Sequence, residues 1–557
     1  MGTVNKPMYG WNTIPWKKIE RNVFKLQKRI YQASSRGDVN RVHRLQRLLV
    51  TSRSAKKLAV RRVTQDNRGK KTAGIDGVKA LTPRRRMAMA ESLMLRGEAH
   101  PVRRVWIPKS GSDELRPLGI PVMVDRARQC LVKITLEPEW EARFEPNSFG
   151  FRPGRSAHDA IKTVFGAVSQ KAKWALDADI AKCFDRINHS ALIAKINTSP
   201  LLRRPIKAWL KAGVMDNDEI FPTSEGVPQG GAISPLLANI ALHGLETVIG
   251  EHFPKRRGFK PPIVVRYADD FVVLHEDRAV IKQSQEVVTG WLKGMGLELK
   301  ASKTRITHTL DACESVAGFD FLGFAIRQYP AGKTRSHRNG HRQLLGFKTR
   351  IEPSRKAIER HIKKLKELVR KHQTAEQGKL IVALNPLIAG WTNYYAHVSS
   401  HVGFCKLDTV LFAMLYAWAK RRHPGKSKGW ALRKYWRVKG GWYFQPPSST
   451  SRLRRHVDKH YQCYVKVAGN RSPYDGDWVY WSTRLGYHPN VPPRVARLLK
   501  RQKGRCPVCG LWFRDGAVLV VRQLISFARG GSNWSHNQQL LHRHCQELMT
   551  ARNTDRM

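Results

Sequence analysis

The stretch Ile263–Leu274 reads as two short apolar strands broken at Tyr267-Ala268-Asp269-Asp270, and no other feature constrains the fold as much. Two adjacent carboxylates at the tip of an apolar hairpin are costly unless something positive offsets them. A divalent cation does so. A second segment, Trp174–Ile180, alternates strictly. Period two puts Trp174, Leu176, Ala178 and Ile180 on one face, and Ala175, Asp177 and Asp179 on the other. A sheet that sets Asp179 opposite Asp269 makes a site for two cations about 3.5–4 Å apart, an arrangement suited to phosphoryl transfer. Mg²⁺, with oxygen ligands and retained waters, fits such a site. Nucleotide cyclases use similar paired acids, so the rest of the chain has to decide the chemistry.

The 557 residues leave room for about three to five domains. At 41% apolar, the chain can build real cores. It has 100 Lys+Arg against 43 Asp+Glu, a formal net charge of +57. A surface so charged repels itself unless it meets a polyanion, and nucleic acid is the natural one. A membrane surface is the rival, but the longest apolar stretch, Val410–Ala419, is about half of the roughly 20 residues that a spanning helix needs. Lys6, Lys17 and Lys18 are not followed by the apolar core of a signal peptide. The expected setting is intracellular (cytoplasmic), bacterial or organellar, with no membrane partner.

Residues 1–70 have apolar positions at helical spacing, Val23, Leu26 and Ile30, then Val42, Leu45, Leu48 and Leu49, with Arg and Lys between them. Three glycines in 69–77 mark a loop. Strands alternate with helices from about 100 to 310: Arg103–Pro108 reads as a strand and Lys109–Glu114 as a turn. Helical pattern returns from Arg355 to Tyr395. No glutamate occurs between Glu376 and Glu547, while Arg, Lys, Trp and Tyr are frequent. That mixture suits phosphate contact plus base stacking.

Several segments, in the same order, resemble group II intron reverse transcriptases. They are Ile107-Pro-Lys-Ser-Gly111 with Arg116-Pro-Leu-Gly-Ile120, Leu136-Glu-Pro-Glu-Trp-Glu-Ala-Arg143, Ser148-Phe-Gly-Phe-Arg-Pro-Gly-Arg155 and Asp179-Ile-Ala-Lys-Cys-Phe-Asp185. Gly226-Val-Pro-Gln-Gly-Gly-Ala-Ile-Ser-Pro235, Tyr267-Ala-Asp-Asp270 and Ser302-Lys-Thr304 follow. Gly390-Trp-Thr-Asn-Tyr-Tyr395 and Trp418-Ala-Lys-Arg-Arg-His-Pro424 resemble the family's thumb and maturase region. The resemblance implies that Asp179, Asp269 and Asp270 are catalytic, and that Asp179, Asp269 and the Ile180 carbonyl hold two Mg²⁺. Asp177, about 7 Å along the strand from Asp179, is a bystander. Lys109 and Arg116 match fingertip residues that grip the incoming dNTP. Phe184 matches a steric gate against the ribose 2′-hydroxyl. Gln229 lies near the new base pair, and Lys303 matches a lysine near the phosphates.

Eight cysteines are too few for a disulfide framework in a chain of this length. Cys130, Cys183, Cys313, Cys405 and Cys463 stand alone and read as small buried residues. Cys506-x2-Cys509 and His542-x2-Cys545 have structural Zn²⁺ spacing, with His544 as an alternative to His542. Together with Gly530-Gly531 and Asn537, they resemble an HNH endonuclease module. Aligned on the glycine pair, the module's Asp-His falls on Arg522-Gln523 and its last histidine on Gln546. Glutamine is no base near neutral pH and arginine binds no cation. The expectation is a retained zinc fold for DNA binding with the nuclease chemistry lost, Asn537 having nothing left to orient; a displaced His536 or His544 is the alternative.

The expected architecture is α+β, a right-hand polymerase with fingers, palm and helical thumb. Its parts are a basic helical extension (1–75), fingers and palm (76–335), thumb and maturase region (336–445), a basic DNA-binding segment (446–495) and a zinc module (496–557). The expected function is RNA-directed DNA synthesis from dNTPs on group II intron RNA, with binding of that RNA as a maturase and of a DNA target. Two other readings are a splicing scaffold with an idle polymerase, and a reverse transcriptase of defence or phage diversification. The intact aspartates weigh against the first, and the maturase-like stretch and zinc module against the second.

Overall fold

The computed structural model describes residues 10–95, 98–108, 115–312, 316–438, 441–447, 451–477, 480–481, 484, 493–513 and 517–554. Lys109 and Cys313, both singled out above, lie outside them. The fold is mixed α and β. Packing divides it into two units: Met1–Ala160, Leu176–Ile306 and Val467–Asp477 in one, Ile161–Ala175, Thr307–Lys466 and Trp478–Met557 in the other.

In the first unit, helices Trp16–Ser35, Val39–Thr51 and Arg53–Arg61 pack on the long helix Met123–Arg143. Val23, Ile30, Val42, Leu45 and Leu49 are buried as their spacing predicts. Two positions differ. Leu26 is half-buried and Leu48 is 52% exposed, while Gln27 and Gln46 are buried. The reason is polar: Gln27 donates to the Ile134 carbonyl at 2.8 Å, and Gln46 to Glu139 Oε2 at 2.7 Å. Each glutamine thereby satisfies an acceptor on the long helix that a leucine would leave orphaned.

That helix uses the chain's scarce acids internally. Glu141 receives both Arg152 Nε at 2.9 Å and Nη2 at 3.1 Å, each side chain 1% exposed. Removing one partner of such a buried pair costs about 3–5 kcal/mol. Arg152 fixes the Ser148–Arg155 motif, and Ser148 bridges to Arg266 on the hairpin. The central sheet has the order Ile263–Tyr267, Asp270–His275, Trp174–Asp179, Arg305–His308. A second sheet pairs Val102–Pro108 with Leu115–Ile120, with Ile107 opposite Arg116.

Packing also divides the stretch 446–495 that composition had grouped together. Val467–Asp477 belongs to the first unit: Val467 N–H donates to Asp159 Oδ1 at 2.8 Å, and Tyr474 O–H to Glu137 Oε2 at 2.8 Å. Leu453 instead joins the apolar core of the second unit.

In the second unit, strands Phe319–Phe321, Phe324–Pro330 and Phe347–Pro353 precede helices Arg355–Lys371, Gln377–Tyr395, His401–Arg422 and Lys428–Tyr435. His401–Arg422 is, by length and composition alone, apolar enough to cross a membrane, which the Val410–Ala419 stretch did not suggest. Phe404, Leu407, Leu411, Leu415 and Trp418 bury one face of it. Cys405 falls between those positions, on the opposite face, and is exposed; Cys463 is exposed too. Both depart from the expected burial, which Cys130 and Cys183 follow.

This unit also buries two histidines against each other. Their Nε2 atoms, of His361 and His456, are 3.0 Å apart, and Asp408 Oδ1 lies 2.7 Å from His456 Nδ1. Burial first, then the charges of His456 and Lys364, pull His361 from 6.5 down to about 3. The folded imidazole thus stays neutral where the unfolded one takes up a proton, and stability falls as pH drops below about 6.5. From pH 7 to 5 the expected loss is about 2 kcal/mol, read as a lower urea midpoint for this unit's transition. His361→Gln should remove most of that pH dependence. An unchanged pH slope in this variant would show that another group causes it.

Candidate active site and metal centre

The hairpin register pairs Tyr267 with Asp270, leaving Ala268 and Asp269 as the two-residue turn. Ala268 takes φ +58°. A left-handed residue with a Cβ costs about 1–2 kcal/mol, so something must hold it there. The neighbouring strand Trp174–Asp179 brings Asp179 to the same site. Burial and the charge of Asp179 raise the Asp269 carboxyl, which Arg116 and Lys303 counter. Asp270 faces solvent; even so, desolvation by the surrounding protein, followed by Asp269 and Asp179, pushes it up to about 7. Lys303 Nζ sits 2.7 Å from Asp179 Oδ2, so this carboxylate already recruits a cation. Three mutually repelling carboxylates are a donor set that suits divalent metal. Asp177 is engaged elsewhere: Arg305 Nε and Nη2 reach its Oδ2 at 3.1 and 3.0 Å.

After Asp179 the chain turns sharply. Ile180 bridges Leu299, Lys182 adopts φ +44°, and the short helix Cys183–Arg186 follows. Phe184 is thereby half-buried, edge-on to Phe151 at 6.4 Å. Its carbonyl accepts from Val227 N–H at 2.5 Å. Gly226, at φ +87°, lies against this helix, and a Cβ there would meet the Asp185 carbonyl oxygen at 2.6 Å. Only glycine admits this approach. The Gln229 side chain hydrogen-bonds Asp185, whose carboxyl burial raises and Arg104, Lys182, Gln229 and Arg116 lower. Arg116 is exposed on its strand and acts on both Asp185 and Asp269.

The structure thus gathers Asp179, Asp269, Asp270, Arg116, Phe184, Gln229 and Lys303. Sequence reasoning missed Phe151, Asp185 and Arg266. A charged residue inside an apolar strand, immediately before Tyr267, was the available signal for the last.

Near the C-terminus, Cys506, Cys509, His542 and Cys545 bring their ligand atoms within 4.8 Å of one another. Strands Leu519–Gln523 and Gln538–His542 pair antiparallel, ending at His542, and helix Arg543–Thr554 supplies Cys545. Cys509 Sγ is 3.4 Å from His542 Nδ1, while His544 Nε2 lies 3.0 Å from Cys545 Sγ. Burial opposes ionisation of Cys506, but backbone hydrogen bonds with His542, Cys509 and Val508 outweigh it and lower its thiol. Burial and the crowding of Cys509 and Cys506 push Cys545 up to about 12. Such a set of one nitrogen and three sulfurs fits a soft tetrahedral cation. Arg522 and Gln523 sit on the first strand, Arg522 Nη1 being 3.0 Å from Met549 Sδ, and Gln546 lies on the helix. Asn537 is not idle, as the sequence had suggested. Buried, it accepts from Ile525 N–H at 2.9 Å and donates to the Ile525 and Ser532 carbonyls at 2.9 and 2.8 Å. It staples a loop.

Residues 107–326 match the family model "Reverse transcriptase (RNA-dependent DNA polymerase)" and residues 11–93 match "N-terminal domain of reverse transcriptase". Residues 358–436 match "Group II intron, maturase-specific domain". Protein YkfC of Escherichia coli is 34% identical over 327 residues, 51% of this chain and 83% of the relative. The chain belongs to the group II intron reverse transcriptase and maturase family. The group II intron-encoded protein LtrA of Lactococcus lactis is 29% identical over 456 residues, 67% of this chain and 72% of the relative. Maturase-like protein 1 of Euglena gracilis is 26% identical over 396 residues, 69% of this chain and 76% of the relative. This reverse transcriptase therefore carries an RNA-dependent DNA polymerase domain, which uses divalent metal, and a maturase domain, which implies intron RNA binding.

Proposed function

We propose that this reverse transcriptase copies its own intron RNA into DNA during intron mobility, inside the cell, as a right-hand polymerase bound to that RNA. The gathering of Asp179, Asp269 and Asp270 around one hairpin turn carries the reading. Asp179, Asp269 and the Ile180 carbonyl would hold two Mg²⁺, with Asp270 beside them. Bound there, the metals would ease ionisation of the primer 3′-hydroxyl and offset charge on the departing pyrophosphate. Arg116, with Lys109, grips the triphosphate. Phe184, backed by Phe151, fills the space that a ribose 2′-hydroxyl would need and so selects dNTPs. Gln229, tied to Asp185, supports the new base pair from below. Lys303 exchanges its bond to Asp179 for the phosphates as nucleotide enters.

The C-terminal cluster reads as a structural Zn²⁺ site, and the module around it as a DNA-binding one without nuclease chemistry. Its residues 496–557 hold eleven Lys+Arg against three Asp+Glu, none of the acids between 516 and 546. The loop stapled by Asn537 presents Leu524, Ile525, Phe527 and Trp534, each more than half exposed. Apolar side chains on a basic module suit contact with bases. Priming then depends on a borrowed strand, such as a nascent end at a replication fork.

The test uses the protein assembled with its intron RNA, Mg²⁺ and duplex target DNA labelled on the strand opposite the insertion site. Primer extension without a nick is the expected result. A specific nick would overturn the loss of nuclease and assign the base to another residue, His536 or His544 first.

A further inference from the structure

The residue directly before the Tyr267-Ala268-Asp269-Asp270 turn is a buried arginine. Arg266 is 2% exposed although it stands in an apolar strand. Its Nη1 donates to the Ala268 carbonyl at 3.1 Å and to Asn239 Oδ1 at 3.2 Å. Asn239 in turn donates from Nδ2 to the Gly150 carbonyl at 2.7 Å. Gly150 closes the ring from the other side, since a Cβ there would lie 2.3 Å from Ala268 N. The backbone of Arg266 is fixed as well: its N–H donates to Asn147 O at 3.0 Å, and its carbonyl accepts from Phe149 N–H at 2.9 Å. Nε and Nη2 have no hydrogen-bond partner among the described residues. Glu145 and Glu246 lie within electrostatic reach.

A guanidinium is expensive to bury, and one with two unmatched donors more so. Core packing alone would be better served by leucine or methionine. What arginine adds is a rigid fork that can hold a strained carbonyl and a second anchor at once. The carbonyl it holds belongs to the one turn residue with positive φ, next to both aspartates.

We infer that Arg266, anchored by Asn239 and backed by Gly150, is a positioning residue for polymerisation that locks the left-handed Ala268 and so aims Asp269 and Asp270. The inference rests on reading that turn as the polymerase centre. A turn that is merely populated in the right shape, rather than held in it, spends less time in reactive geometry. The defect should therefore fall on turnover and metal affinity, not on substrate capture.

The experiment measures single-nucleotide extension of a DNA primer on an RNA template by the full chain. Arg266→Met should keep the melting profile, keep template–primer affinity within about twofold and KM for dNTP within about threefold, and lower kcat about 100-fold. Arg266→Lys, retaining charge and one donor, should recover about tenfold of that. Calorimetric Mg²⁺ affinity of the protein without nucleotide should weaken about tenfold in Arg266→Met. Asn239→Ala and Gly150→Ala disturb the same ring without touching the arginine, and each should lower kcat about tenfold at unchanged KM. A folded Arg266→Met with wild-type kcat overturns the inference. So does a loss of kcat matched by an equal loss of template–primer affinity, which marks a general folding role. If Arg266→Met does not fold, normal kcat in both ring variants overturns it. Asp269→Asn run in parallel separates the two levels: activity there defeats the site itself, whereas a dead Asp269→Asn beside a normal Arg266→Met defeats only the lock.

Discussion

Asp269→Asn should lower primer extension by at least about a thousandfold, the loss of several kcal/mol of charge stabilisation at the reacting phosphate. The substitution keeps the volume and removes one of three mutually repelling carboxylates, so the fold should be unharmed or slightly steadier. Intron RNA binding and support of splicing should stay near wild type. That contact rests on the wide excess of Lys and Arg, which one neutralised aspartate barely alters. The measurement pairs primer extension with RNA affinity and splicing rate on the same protein preparation. Residual extension within about tenfold of wild type would remove Asp269 from the metal site. Lost splicing in a folded variant would show that the Asp269 site also supports RNA folding.

The second large effect concerns the C-terminal module. Among the described residues its apolar core is Leu498, Leu499, Cys506, Phe513, Leu540, Leu541 and Cys545, and two of these seven, Cys506 and Cys545, belong to the cysteine–histidine cluster. A core this small does not hold a fold by itself. Structural zinc contributes about 10 kcal/mol or more to such a module, which is most or all of its stability. Cys506→Ser, or treatment with a zinc-selective chelator in excess Mg²⁺, should therefore open residues 496–557 to protease while the polymerase keeps its rate. Elemental analysis of the purified chain should find zinc in equal molar amount. Protein that contains no zinc and resists protease equally before and after chelation would reject the site. Zinc-selective chelation in excess Mg²⁺ that stops polymerisation on a short primer would mean that the module supports the polymerase directly.

Much of the chemistry was legible from residues alone. Alternation in Trp174–Asp179 put Asp179 on one face with Ala175 and Asp177, and the break at Tyr267–Asp270 announced the turn, because strand period and hairpin chemistry are local properties. Cysteine and histidine spacing marked the four residues that the fold brings within 4.8 Å, since each ligand pair is joined by a short turn or helix start. Family motifs in order named the activity. Composition named the partner class, because a charge of +57 needs a polyanion wherever the residues lie.

Other features needed the tertiary structure. Helical periodicity could not choose Gln27 and Gln46 over Leu26 and Leu48 for burial, since the choice depends on acceptors carried by a helix about a hundred residues away. It could not place Cys405 in solvent without knowing which stripe of its helix is covered. Composition grouped 446–495 as one basic segment, whereas hydrogen bonds to Asp159 and Glu137 decide where Val467–Asp477 belongs. Asn537 looked like a remnant and proved to hold a loop. Arg266 is the sharpest case. The sequence shows an arginine beside the Tyr267–Asp270 turn, but only the folded chain shows it buried, bonded to Ala268 and braced by Asn239 and Gly150. Local pattern fixes which atoms can do chemistry, because that depends on residue type and short spacing. Long-range packing fixes how firmly they are held, because the groups that hold them come from anywhere in the chain.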